Sequence, residues 1–215
     1  MVDVESDSLY LGLEQTIQAW ARSLEIGGLE PEGHTYRVAE LTLRLARKMG
    51  VPDAQIVHMV RGALLHDIGK IAVPDQLLLK PGRLDPAERA LIEQHPNIAR
   101  SLLQGVEILR EAMDIPYAHH ERWDGKGYPR GLRSEQIPLA ARLFAVIDVY
   151  DSLAHDQPYR SAWGKEEIIE HMRENAGKHF DPTMVEPFLV LVQEPVHEAF
   201  AADTAKPLGL LLRVS

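Results

Sequence analysis

The sequence predicts an all-α fold, and three observations carry the prediction. Apolar residues recur at three- and four-residue steps along most of the chain, the spacing of one helical face. The breaks between these stretches fall at glycine and proline, as at Gly27-Gly28 and Pro81-Gly82. No segment of useful length alternates apolar and polar residues as a half-buried strand does.

The elements follow in order. Ser8 to Ile26 reads as an amphipathic helix carrying Leu13, Ile17, Trp20 and Leu24, and Gly27-Gly28 ends it. A second helix is expected from Glu30-Pro31, with Pro31 at the first helical position, through Val38, Leu41 and Leu45 to Gly50. Asp53 is placed as the cap of a third, running through Val60 and Leu64 into Ala63-Leu64-Leu65-His66-Asp67-Ile68-Gly69-Lys70. Residues 71–85 read as irregular. Asp85-Pro86 starts a helix to about Gln94, and His95-Pro96 breaks it and opens the next. A further helix is expected near 107–121 despite Pro116. A loop over 122–137 follows, rich in glycine. Pro138 then opens a strongly apolar helix from Leu139 to about Leu153, and helices near 165–176 and 182–193 complete the domain. Residues 1–29 form a helix leading into the domain. Residues 194–215 are an unassigned tail with an apolar stretch at Leu208 to Leu212.

Composition narrows the function. The 215 residues suffice for one well-buried domain. Cysteine is absent, so any metal must sit on His, Asp or Glu, a donor set suited to iron, manganese or zinc. A net charge of -9 gives no sign of the basic surface that a DNA or RNA polymer requires. The acidic first residues lack the apolar core of a signal peptide, and no apolar run reaches membrane-spanning length. The expected compartment is the cytoplasm, with no membrane insertion.

His66 and Asp67 are adjacent metal-ligand types, and Lys70 follows three residues on. Read alone, the stretch fits a helix C-terminus equally well, with Gly69 as its stop and Lys70 on the dipole. Glu30 and His34, four apart, would share a helical face. His119 and His120, if helical, diverge by about 100° and would serve different metals rather than one. Asp148 lies in an apolar helix, where an unpaired charge costs several kcal/mol, so a metal or cation must compensate it. Asp151, one turn on, suits a partner to a ligand. His95 is a candidate fifth imidazole. His58, His155, His171, His179 and His197 read as surface or packing residues. Five imidazoles with Glu30, Asp67 and Asp148 fit two or three metals better than one. Two metals about 3.5–4 Å apart clamp a phosphoryl group, which points to hydrolysis of a phosphate ester.

His34, His66-Asp67 and Asp148 match the HD superfamily of metal-dependent phosphohydrolases. The longer series resembles the HD-GYP domain more specifically. It runs His66-Asp67-Ile68-Gly69-Lys70, His95-Pro96, and His119-His120-Glu121-Arg122-Trp123-Asp124-Gly125-Lys126-Gly127-Tyr128-Pro129. The resemblance implies a single HD-type helical bundle, residues 30–193, with a glycine-rich Gly-Tyr-Pro loop. It implies two or three divalent metal ions, most often Fe or Mn, held by His34, His66, Asp67, His95, His119, His120 and Asp148. Glu30 matches the extra carboxylate of members with a third metal. The implied reaction is hydrolysis of cyclic di-GMP to pGpG or GMP by a metal-bridging hydroxide, with some members acting on other cyclic dinucleotides. Lys70 matches a lysine at the scissile phosphate, and Tyr128 and Arg160 match positions associated with substrate contact. The family usually has Arg where this chain has Gln157 before Pro158-Tyr159-Arg160, which removes a cation near the substrate groove. The alternatives are a non-hydrolytic cyclic dinucleotide sensor or interaction module, and an HD phosphohydrolase acting on another nucleotide. A homodimer, or a sensory or receiver domain acting in trans, is the further partner that the resemblance admits.

Overall fold

The computed structural model describes residues 4–156 and 160–194, with side chains from residue 11 onward. Gln157 and the apolar stretch of the tail lie outside the described residues. Among the described residues ten α-helices follow one another: α1 Val4–Ile26, α2 His34–Lys48, α3 Asp53–Leu64, α4 Asp75–Leu78, α5 Pro86–Ile92, α6 His95–Leu103, α7 Asp114–Ala118, α8 Leu139–Ala154, α9 Lys165–Glu174 and α10 Pro182–Leu191. Ala176 and Phe180 form an isolated bridge.

α8 is apolar on most sides because it runs through the middle of the bundle. Leu143, Phe144, Val146 and Ile147 on it are wholly buried. α2, α7, α9 and α10 pack against it, and α3 lies along α2. α1 adds Ile17, Ala21 and Leu24 to the same core. It is also tied to α3 by a buried ion pair, Arg61 Nε and Nη2 to Glu14 Oε1 at 2.8 and 2.5 Å.

Local signals set several boundaries as expected. Asp85 caps α5 by accepting from the Ala87 and Glu88 amides, and Glu88 reaches back to the Asp85 amide, a full capping box. Pro138 precedes α8, and Asp181 caps α10.

Four expectations need correction. α2 starts at His34 rather than Pro31, because Glu25 of α1 accepts the Gly33 and Thr35 amides and fixes the start there. Glu30 therefore stands in the connection before α2, not on its face. α3 ends at Leu64, and a 3-10 turn, Ile68–Ala72, follows. Gly69 is thus not a helix stop. A Cβ on it would lie 1.9 Å from the His95 carbonyl oxygen, so the glycine lets α6 dock on the 3-10 turn. The expected helix over 107–121 is two 3-10 turns and the single turn of α7. Pro116 lacks an amide proton and its ring excludes a preceding carbonyl, which prevents a longer helix. Within the irregular stretch 71–85, Asp75–Leu78 forms one helical turn.

Candidate metal centre

The centre lies where helix ends meet. His34 is the first residue of α2, His95 the first of α6, and His119 ends α7. His66 and Asp67 follow the end of α3, and Asp148 projects from α8. Side chains at helix ends escape the ladder of their own helix, so residues far apart in sequence can be aimed at one point.

Three of the five imidazoles are anchored in the same way. The Nδ1 of His66 lies 2.8 Å from the Ala63 carbonyl, that of His95 2.8 Å from Ile92, and that of His119 3.0 Å from Ile115. A carbonyl oxygen only accepts, so each ring donates its Nδ1 proton there and turns Nε2 inward. His34 Nδ1 instead meets Asp151 Oδ2 at 2.7 Å. Asp151 is buried and also takes both arms of Arg37, at 2.7 and 2.8 Å. Fixing Nδ1 in this way sets the ring orientation and leaves Nε2 as the donor atom for a metal.

The inward atoms form two groups, each with its candidate ligand atoms within 4.8 Å of one another. One holds Asp67, His95, His119 and His120, and the other Glu30, His34 and His66. Asp67 joins them. Its Oδ1 lies 3.0 Å from His95 Nε2 and 3.6 Å from His119 Nε2. Its Oδ2 lies 3.1 Å from His66 Nε2 and 2.7 Å from Lys70 Nζ. His66 Nε2 and Asp67 Oδ1 are buried and make no hydrogen bond. They are close to their neighbours but not directed at them. Converging, unsatisfied donors of this kind fit divalent metal ions, since a buried polar atom otherwise costs about 1–3 kcal/mol when left unpaired.

Charge in the centre follows the same logic. Burial opposes the Asp67 charge, yet Lys70 and His66 outweigh it and hold the carboxyl well below its ordinary range. Burial also opposes a charge on His66, but Asp67 and the nearby carboxylates push that imidazole up to about 9. Burial and then Asp67 raise Glu30 to about 7, although Lys70 works against them. Burial holds His119 and His120 below the ordinary histidine value. The carboxylates thus make the inner end of the site favour positive charge, while its imidazoles at the His119 end stay neutral and able to coordinate.

Several expectations change here. His119 and His120 do not diverge toward separate groups. α7 ends at Ala118, and the two rings sit 4.0 Å apart in one group. Asp148 belongs to neither group; it lies 3.5 Å from His34 Nε2 and is only partly buried. Lys70 is paired with Glu30 Oε1 at 2.5 Å as well as with Asp67. Arg160 does not enter the centre. Its guanidinium donates to the Ser152, Leu153 and Ser161 carbonyls at the end of α8 and lies over Trp163.

The Gly-Tyr-Pro loop closes over His120. Tyr128 stacks on its ring at 4.7 Å, and the Tyr128 amide donates to the His120 carbonyl. A Cβ on Gly127 would lie 2.4 Å from the Arg122 amide nitrogen, so only glycine lets the loop fold so closely. Glu121, buried beneath, accepts the Arg130 and Leu132 amides at 2.8 and 2.9 Å. A cavity of about 650 Å³ opens beside the centre, bordered by Glu30, Asp67, Lys70 and Asp148. It is also lined by His179, which was expected to be a surface or packing residue.

A helical bundle whose helix ends gather imidazoles and carboxylates around a paired His-Asp defines a metal-site phosphohydrolase architecture. The HD domain family model matches residues 12–184, and the chain belongs to that family, in its HD-GYP group. HD-domain phosphohydrolases are metal-dependent. A cyclic di-GMP phosphodiesterase of Thermotoga maritima is 40% identical over 172 residues, covering 79% of this chain and 47% of the relative. Another, from Pseudomonas aeruginosa, is 45% identical over 160 residues, covering 74% of this chain and 38% of the relative. The chain thus spans less than half the length of these curated relatives. Among solved structures, an HD-GYP protein of Bdellovibrio bacteriovorus matches with a TM-score of 0.60 at 25% identity, over 74% of this chain and 51% of its own. No helix among the described residues is long and apolar enough to cross a membrane.

Proposed function

We propose that the protein is a metal-dependent phosphodiesterase of the cytoplasm that hydrolyses cyclic di-GMP to pGpG or GMP. The observation that supports this most strongly is the Asp67 carboxylate, whose two oxygens face two different donor groups beside one cavity. The residues assigned to the metals are His34, His66, Asp67, His95, His119, His120 and Asp148, with Glu30 as a further carboxylate. Nitrogen and oxygen donors without thiolate suit Fe or Mn. Bound there, two or three divalent ions would supply Lewis acidity, bringing the pKa of water toward neutrality and offsetting phosphoryl charge.

The chain's own groups do the rest. Lys70 stands at the mouth of the centre, partly exposed to the cavity, and is assigned to a non-bridging oxygen of the scissile phosphate. Burial and the Asp67 charge push the Tyr128 phenol well above its ordinary range, so it remains a neutral hydrogen-bond donor for substrate. Leu29, Leu78 and Leu79 also line the cavity and offer an apolar wall for a nucleobase. A sensory or receiver domain in trans, or a second copy, is the proposed regulatory partner.

The test is chromatography of products after metal-loaded protein, purified without oxygen, is incubated with cyclic di-GMP, cyclic GMP–AMP and cyclic di-AMP separately. Consumption of cyclic di-GMP with pGpG or GMP as product is the expected result. Fully metallated protein that leaves every cyclic dinucleotide intact contradicts the proposal.

A further inference from the structure

His179 stands outside both donor groups of the centre. It stands between α9 and α10 and lines the same cavity as Glu30, Asp67 and Asp148. The backbone around it is pinned from two sides. The His179 carbonyl accepts the Trp123 amide at 3.0 Å, the Lys178 carbonyl accepts the Asp124 amide at 2.8 Å, and the His179 amide donates to Asn175. The ring is laid flat on Phe180, with centroids 4.6 Å apart and planes 9° from parallel. Phe180 is wholly buried, so this stack fixes the imidazole to the core. Among the described residues neither ring nitrogen makes a hydrogen bond. His34, His66, His95 and His119 each have Nδ1 anchored, as is common for metal ligands. His179, like His120, has no such anchor, but unlike His120 it joins neither donor group.

We infer that His179 is a substrate-binding residue, giving hydrogen bonds from its rigidly held imidazole to the bound cyclic dinucleotide on the Asp148 side of the cavity. This rests on the activity proposed above. A neutral imidazole offers one N–H and one lone pair, which match a phosphate oxygen and a ribose hydroxyl respectively. Burial first, and Arg122 second, push this ring down to about 4, so it is neutral at pH 7. The role is therefore one of binding and orientation rather than proton delivery.

The decisive variants are His179→Phe, which keeps the stack on Phe180 and deletes both nitrogens, and His179→Gln, which returns a donor and an acceptor without the ring. Wild type and both variants are compared for metal content, KM and kcat on cyclic di-GMP, and for calorimetric affinity with the metal-loaded protein. The expected result is unchanged metal content with KM raised about tenfold in His179→Phe, the size of one lost hydrogen bond. A smaller rise is expected in His179→Gln, with kcat moving less than KM. Wild-type KM and affinity in His179→Phe overturn the inference. So does loss of metal from that variant, which would make the residue part of the centre itself. Wild-type protein that neither binds nor hydrolyses cyclic di-GMP overturns the proposed activity and this inference with it.

Discussion

At the residue scale, the centre depends as much on what holds the imidazoles as on the imidazoles themselves. Asp151 is the clearest case. It fixes His34 through Nδ1 and is itself fixed by the two arms of Arg37. Asp151→Asn preserves the shape but removes the charge, and should weaken metal binding by about 10–100-fold without unfolding the protein. Competition against a chelator of known affinity measures this. Unchanged affinity would mean that His34 needs no anchor. The ligand types themselves were legible: His66-Asp67, His95 and His119-His120 announce themselves by adjacency and order. The carbonyl anchors from Ala63, Ile92 and Ile115 were not, because any residue supplies a carbonyl. His179 was passed over for a related reason, since its position depends on a stack and on backbone pairing with a distant loop.

At the element scale, boundaries governed by nearby side chains were legible and those governed by distant ones were not. The capping box at Asp85 and the proline before α8 lie within a few residues of the ends they set. The start of α2 is set by Glu25 from another helix, and Gly69 answers to the His95 backbone. The link between α1 and α3 is of the same long-range kind. Glu14 and Arg61 are almost fully buried, and neither is marked out in the sequence as a partner of the other. Glu14→Ala leaves the guanidinium buried without its carboxylate and should cost about 3–5 kcal/mol. Urea denaturation gives the value. Replacing both partners with apolar residues of similar volume should cost far less, because no buried charge remains. Equal losses in the single and double variants would show that α1 is held by apolar packing alone.

At the scale of the whole molecule, the fold brings four helix ends and one apolar helix to a common point. The helical class could be read from periodicity, and most of the residues proposed as donors from motif. Their division into two groups sharing Asp67, with Asp148 set toward the cavity, required the packed structure. That division is the central claim, and its most direct measurement is activity against metal equivalents. Metal-free protein is titrated with Mn or Fe without oxygen, and cyclic di-GMP hydrolysis is followed at each addition. The two-group centre predicts little turnover up to the first equivalent and a steep rise toward the second, with Asp67→Asn inactive throughout. Full activity at a single equivalent, or an Asp67→Asn variant that matches wild type, would contradict it.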